Sequence, residues 1–209
     1  MTLPLPPLPP APGGDDAPGL PAGRSVVEVL AEEHRRLGAL CARLTDADAP
    51  EQRRREIAQV VTASLSRHLS AEEQYLYPAV RAAVPDGDRL ADREVAEDHA
   101  ILLTLRELSA TPPADPEFGR LADAVATQLR RHAEAAAAEL LPLLGEMAST
   151  EELVRLGNRV ETAQEAAPTR PHPSTPTTPP WNKVVDPALG VVDKLRDAVS
   201  GRVTYARDL

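Results

Sequence analysis

Ala31-Glu32-Glu33-His34, followed by Arg67-His68-Leu69-Ser70-Ala71-Glu72 and then Pro78, returns later as a second phrase. That phrase is Ala96-Glu97-Asp98-His99, followed by Arg131-His132-Ala133-Glu134-Ala135-Ala136 and then Pro142. The two histidines of a copy are 34 residues apart in the first and 33 in the second, and each proline falls ten residues after its histidine. One letter differs in kind: the carboxylate of Glu72 becomes the methyl of Ala136. Four of the five histidines thus occupy equivalent places in two helix pairs, the arrangement by which a four-helix bundle builds a metal site in its core.

The residues around the repeat carry helical periodicity. Ser25 is an N-cap with Glu28 three residues on, in capping-box position. Val26, Val29, Leu30, Leu37, Leu40 and Leu44 then keep the spacing of one helix face, up to about Thr45. A second helix is expected over about 51–83, with Ile57, Val60, Val61, Leu65, His68, Glu72, Tyr75 and Leu76 on one face. Pro78 lies inside it and should kink or end it, because it lacks the backbone donor. Pro85-Asp86-Gly87-Asp88 reads as a turn. A third helix is expected over about 89–109, with Val95, His99, Leu102, Leu103 and Leu105. A fourth covers about 117–147, with Leu121, Val125, Leu129, His132, Leu140 and Leu144, and a shorter one runs on to about 166. Short connections make consecutive helices antiparallel neighbours. The fold class is therefore all-α, an up-and-down four-helix bundle.

Composition agrees with one small helical body flanked by appendages. The chain has 209 residues, 2% aromatic side chains and 22 prolines that crowd its two ends. Residues 1–24 read as a disordered Pro-rich leader and residues 25–166 as the bundle. Residues 167–187 read as a Pro-rich linker, and 188–209 as a short amphipathic C-terminal helix carrying Val191, Val192, Leu195 and Val199. An isolated helix of that length is marginal in water, so it is expected to dock. The net charge of −9 argues against nucleic acid, which requires a clustered basic face. No apolar run reaches the roughly 20 residues that span a bilayer, and the Pro-rich start lacks the basic region of a signal peptide. A cytoplasmic location and no membrane partner are the expectation. The single cysteine, Cys41, rules out an internal disulfide and reads as a small core residue.

His68 and Glu72, four apart, leave the same helix face one turn from each other and can ligate one cation or bridge two. Imidazole suits iron, zinc and copper, and a carboxylate adds affinity for harder ions. His34, His99 and His132 can complete the set from the other helices. Binding through neutral imidazole and carboxylate makes affinity fall at low pH. Glu139 shares the face of His132 one turn further along and is a candidate ligand. Tyr75, which aligns with Glu139 in the repeat, is a candidate to hydrogen-bond near the metal. Glu33, Glu73, Asp98 and Glu134 flank the histidines and point away from the core in an ideal helix, as solvated charge. His172 lies between prolines outside the bundle.

These residues resemble the hemerythrin-like, or HHE cation-binding, proteins over about residues 25–147. The pattern is histidine on the first helix, His-x-x-x-Glu on the second, histidine on the third and His-x-x-x-Glu on the fourth. Here it reads His34, His68 with Glu72, His99, and His132 with Ala136. Pro168-Thr169-Arg170-Pro171-His172-Pro173 and Val192-Asp193-Lys194-Leu195-Arg196-Asp197 are similar to the tails of actinobacterial hemerythrin-domain proteins. The resemblance implies an up-and-down four-helix bundle around a non-haem diiron centre that binds or senses dioxygen, peroxide or nitric oxide, and one or two iron ions are the expectation for this chain. The site would be incomplete because Ala136 replaces one carboxylate, and Leu103 stands where oxygen carriers place a further histidine. The alternative is a metal-poor structural or interaction bundle with vestigial histidines, its tail helix docking on the bundle or on a partner. A homo-oligomer or a tail-mediated contact is the macromolecular partnership expected under either reading. A third reading, a peroxide-handling redox enzyme, requires a turnover that spacing alone does not supply.

Overall fold

A computed structural model describes residues 21–174 and 182–209. Helix α1 spans Val26–Leu44, and α2 spans Glu51–Ala71. A π-helical turn, Glu72–Leu76, carries α2 directly into α3, Tyr77–Ala83. Helix α4 is Gly87–Ala110 and α5 is Pro116–Ala135. A second π turn, Ala136–Leu140, carries α5 into α6, Leu141–Met147. Helices α7, Thr150–Ala166, and α8, Asn182–Ser200, complete the order, ahead of a short 3₁₀ turn at Ala206–Asp208. There is no strand among the described residues.

The capping box at Ser25 forms as its sequence predicts: Ser25 accepts from the Glu28 N–H, and the Glu28 carboxylate accepts from the Ser25 N–H. Ser149 and Glu152 repeat the device at the start of α7. Each such cap stabilises its helix by about 1 kcal/mol. Helix α1 packs on α2 and α5, and α4 packs on α2 and α5, so the four long helices close a ring. Neighbours joined by short loops run antiparallel, which makes the bundle up-and-down. Helix α7 lies against α1 and α2 outside that ring. Gly157 permits this approach, since a Cβ there would meet the Arg24 carbonyl at 2.3 Å.

Two apolar clusters fill the bundle. One, at the end where α3 and α6 lie, includes Leu30, Leu76, Val80, Leu140, Leu144 and Leu156. The other, toward the opposite end, includes Leu37, Leu44, Leu65, Leu105, Phe118 and Leu129. Each fully buried leucine contributes about 1.5–3 kcal/mol relative to an exposed one. Cys41 belongs to the second cluster, and burial pushes its thiol pKa up to about 12, so it is an inert core residue. Between the clusters sits a layer of buried polar side chains.

Pro78 and Pro142 neither end nor break their helices. Each lies in the first turn after a π turn, where the regular ladder has already been interrupted. The π turns begin four residues after His68 and four after His132, so the repeat in sequence is also a repeat in backbone distortion.

The tail folds back on the bundle, polar face inward. Asp193 of α8 accepts from the backbone N–H groups of Thr169 and Arg170 and lies 2.9 Å from His172 Nε2. Asp197 binds Arg170, Arg202 and the Thr169 hydroxyl. Arg67 donates to the Thr204 carbonyl and lies over the Tyr205 ring, fastening the end of the chain to α2. Val191, Val192, Leu195 and Val199 instead face solvent. The expected docking of this segment is thus made by carboxylates, and its apolar stripe is left outside. No described helix is long and apolar enough to cross a membrane. The leader expected over 1–24 lies outside the described residues as far as residue 20, and so does the linker over 175–181.

Candidate metal centre

His34, His68, Glu72 and His132 meet in the polar layer, with every ligating atom within 4.8 Å of the others. All four are buried, at 0–8% exposure. His34 reaches the site from α1 in the stripe Leu30-His34-Leu37, and His132 from α5 after Leu129. The Nε2 atoms converge. His34 Nε2 lies 3.1 Å from His68 Nε2, which lies 3.3 Å from His132 Nε2. Glu72 Oε2 is 3.2 Å from His132 Nε2, and Oε1 is 3.5 Å from His68 Nε2 and 3.9 Å from His34 Nε2.

The donor set fits a cation. Three imidazole nitrogens aimed at one point cannot all be satisfied by sharing protons, and Glu72 Oε1 is buried without a hydrogen bond. Leaving such an acceptor unpaired costs about 1–3 kcal/mol. An ion bound at about 2.0–2.2 Å sets neighbouring donors about 3 Å apart, which matches the spacing of the Nε2 atoms.

Both inner histidines are oriented from behind. His68 Nδ1 faces Glu33 Oε2 of α1 at 3.2 Å, and His132 Nδ1 faces Asp98 Oδ1 of α4 at 3.3 Å. A carboxylate on Nδ1 selects the tautomer whose Nε2 lone pair points inward. Glu33 and Asp98 are the acidic letters that precede His34 and His99 in the two copies of the repeat. Tyr77, 2% exposed, donates its hydroxyl to Asp98 Oδ2 at 2.7 Å and approaches Glu72 Oε2 at 3.2 Å. Asp98→Asn keeps the volume and removes the charge. It should weaken metal binding about 10–100-fold, measurable by competition with a chromogenic chelator.

Charge in this layer follows from burial and neighbours. Burial, helped by His68, drops the His34 pKa to about 3, so its ring is neutral. Burial opposes the charge on His68, but Glu72 and Glu33 outweigh it and raise the pKa. Burial likewise opposes protonation of His132, which Glu72 and Asp98 nevertheless raise well above the ordinary value. For Glu72 the three histidines overcome burial and hold the pKa at about 2. Burial raises Asp98 and Glu94 despite their cationic neighbours, and burial with Asp98 raises Tyr77.

The structure departs from the sequence expectation at several residues. His99 is exposed on α4 and stands outside the cluster. The buried face of that helix is Leu90, Ala91, Glu94, Asp98, Ile101, Leu105 and Leu108, one residue out of phase with His99. Asp98 is therefore wholly buried rather than solvated. The 3–4 spacing of that stripe was the signal, hidden because two of its members are acids. Glu139 lies half-buried at the surface, paired with Arg93 at 2.9 Å, and stands outside the cluster. Tyr75 is half-buried, and Tyr77 takes the place beside the site. Both follow from the π turns. The Tyr77 N–H reaches back five residues to the Glu72 carbonyl, and the Leu141 N–H to that of Ala136. One extra residue per turn swings the ninth position after each histidine inward, in place of the seventh. Glu33 and Glu73 are likewise drawn inward, whereas Glu134 stays exposed. His172 belongs to the tail, with Asp193.

The sequence profile of the hemerythrin HHE cation binding domain matches residues 25–144, more than half of the chain. The chain belongs to this family. A hemerythrin-like protein of Schizosaccharomyces pombe is 24% identical over 173 residues, covering 82% of this chain and 85% of its own. Among solved structures, a hemerythrin HHE cation binding domain-containing protein of Mycobacterium kansasii superposes with a TM-score of 0.58 and 24% identity. It covers 68% of this chain and 85% of that one, a likeness of fold. In this hemerythrin-like domain Ala136, buried at 3%, opens the π turn equivalent to that of Glu72.

Proposed function

We propose that this hemerythrin-like domain holds one iron ion and uses it to bind or sense a small oxidant: dioxygen, peroxide or nitric oxide. The observation that carries this reading is the convergence of three Nε2 atoms with the buried carboxylate of Glu72, whose Oε1 makes no hydrogen bond. His34, His68, His132 and Glu72 would be the ligands. Bound iron would supply reversible redox chemistry and open coordination positions. Glu33 and Asp98 hold the rings in register, and Tyr77 keeps a proton within 2.7 Å of Asp98, beside the ligand Glu72. Burial of the whole layer excludes bulk water and favours a small apolar guest over a charged substrate. The soft imidazole-rich set with one carboxylate suits iron better than magnesium or calcium.

One ion rather than two follows from the donors available. Ala136 offers none, His99 lies outside, and Glu139 is engaged with Arg93. The site is in this sense an incomplete version of the family's pattern. Protein purified from iron-supplemented cells should carry close to one iron per chain, and its absorption should change on reduction. Ala136→Glu should move the stoichiometry toward two. Fewer than about 0.2 ions per chain, with melting unchanged by chelation, would hand the chain to the alternative of a metal-poor interaction bundle.

A further inference from the structure

The docked tail closes a second site on a different part of the molecule. A cavity of about 410 Å³ lies among α2, the end of α4, the α4–α5 connection and the tail. Four arginines line it: Arg55 from α2, Arg106 from α4, Arg170 from the segment after α7, and Arg202 from the segment after α8. No carboxylate lines it among the described residues, although the chain as a whole has a net charge of −9. Arg170 and Arg202 share one carboxylate, Asp197, behind the wall. Arg55 and Arg106 have no hydrogen bond or ion pair among the described residues, and Arg170 Nε is buried without a partner. Asp197, with Asp193 beside it, faces Arg170 and Arg202, so the arginines of the cavity outnumber the acids near them.

Such a concentration of like charge is unfavourable unless an anion is expected there. Guanidinium forks match phosphoryl oxygens in bidentate geometry. Pro171 gives the same cavity an apolar edge, and its volume lies in the range of small-molecule sites. We propose that this cavity binds a phosphorylated small molecule, its phosphoryl group among the four arginines and its body against Pro171. Two of the arginines belong to the bundle and two to the tail. The ligand would therefore also clamp the tail onto the bundle.

The test uses the full chain, with inorganic pyrophosphate as the probe, titrated calorimetrically at low salt. One-to-one binding with a Kd below about 1 mM is expected. Arg55→Gln with Arg106→Gln should weaken it by about tenfold or more, without loss of fold, since both side chains are exposed. The control pair Arg89→Gln with Arg130→Gln removes the same charge from exposed positions that do not line the cavity and should leave binding unchanged. Hydrogen exchange should show added protection of residues 189–209 with pyrophosphate present. Absence of saturable binding, equal weakening in the control pair, full binding in the Arg55/Arg106 variant, or binding without tail protection would each overturn the proposal.

Discussion

His68→Ala should strip this domain of its metal, while His99→Ala should leave the metal in place. His68 holds the middle of the three Nε2 atoms, within 3.1 and 3.3 Å of the other two, and its ring is wholly buried. Losing an orienting partner alone costs about 10–100-fold in affinity, so loss of this ligand should exceed that range. The apo-protein should suffer too. Removing one member of a buried charge pair costs about 3–5 kcal/mol, because Glu72 and Glu33 lose the group that compensates them. His99 is exposed and outside the cluster, so its removal should change neither property. Metal per chain after gel filtration, together with the urea midpoint of the apo forms, checks both halves. Metal retained at full stoichiometry in His68→Ala, or lost in His99→Ala, would refute the geometry.

The second large effect is on pH. Metal requires neutral imidazole, and His68 and His132 both titrate above the ordinary histidine value, while His34 is already neutral down to about pH 3. Glu72, with its pKa near 2, releases no proton on binding in the working range. Binding one ion should therefore expel about two protons wherever both histidines are charged. Affinity should then fall by up to about 100-fold for each pH unit of acidification and level off above both pKa values.

The apo-protein should respond in the opposite sense. Raised histidine pKa values give a stabilisation that is fully present below about pH 6.5 and is lost as pH rises through the folded values. The lowered Glu72 contributes above about pH 4.5 and is lost as pH falls toward 2. Alkali should therefore lower the melting temperature of the apo form while strengthening its grip on metal. Proton release measured by calorimetry in two buffers, with melting curves of the apo form, checks the sign. A pH-independent affinity would mean that the two histidines are neutral before the ion arrives.

Much of this site was legible in the one-dimensional pattern. His34 and His132 sit in leucine stripes with a clean helical period, and His68 with Glu72 lies four apart on one helix. Their faces are set before any tertiary contact forms. The capping boxes at Ser25 and Ser149 and the loops around Pro50, Pro85 and Pro112 delimit the helices through strictly local chemistry. Asp98, Glu33 and Tyr77 were not legible in the same way. An acid in an apolar stripe is indistinguishable from a solvated one until its partner is known. Asp98 is buried because His132 and Tyr77 arrive from other segments to meet it.

The sequence by itself therefore determined a four-helix bundle, most of its helix limits and the inward faces of His34, His68, Glu72 and His132, but it also turned His99 inward. The reason is that apolar spacing and capping act within a few residues. Only the tertiary structure decided which residues surround them. Two π turns, each adding one residue to a helical turn, brought Tyr77 inward and left Tyr75 and Glu139 aside. The rotation of α4 in the bundle put Asp98 at the core and His99 in solvent. Both outcomes depend on backbone register, and register is settled by packing between helices rather than by the letters of any one of them.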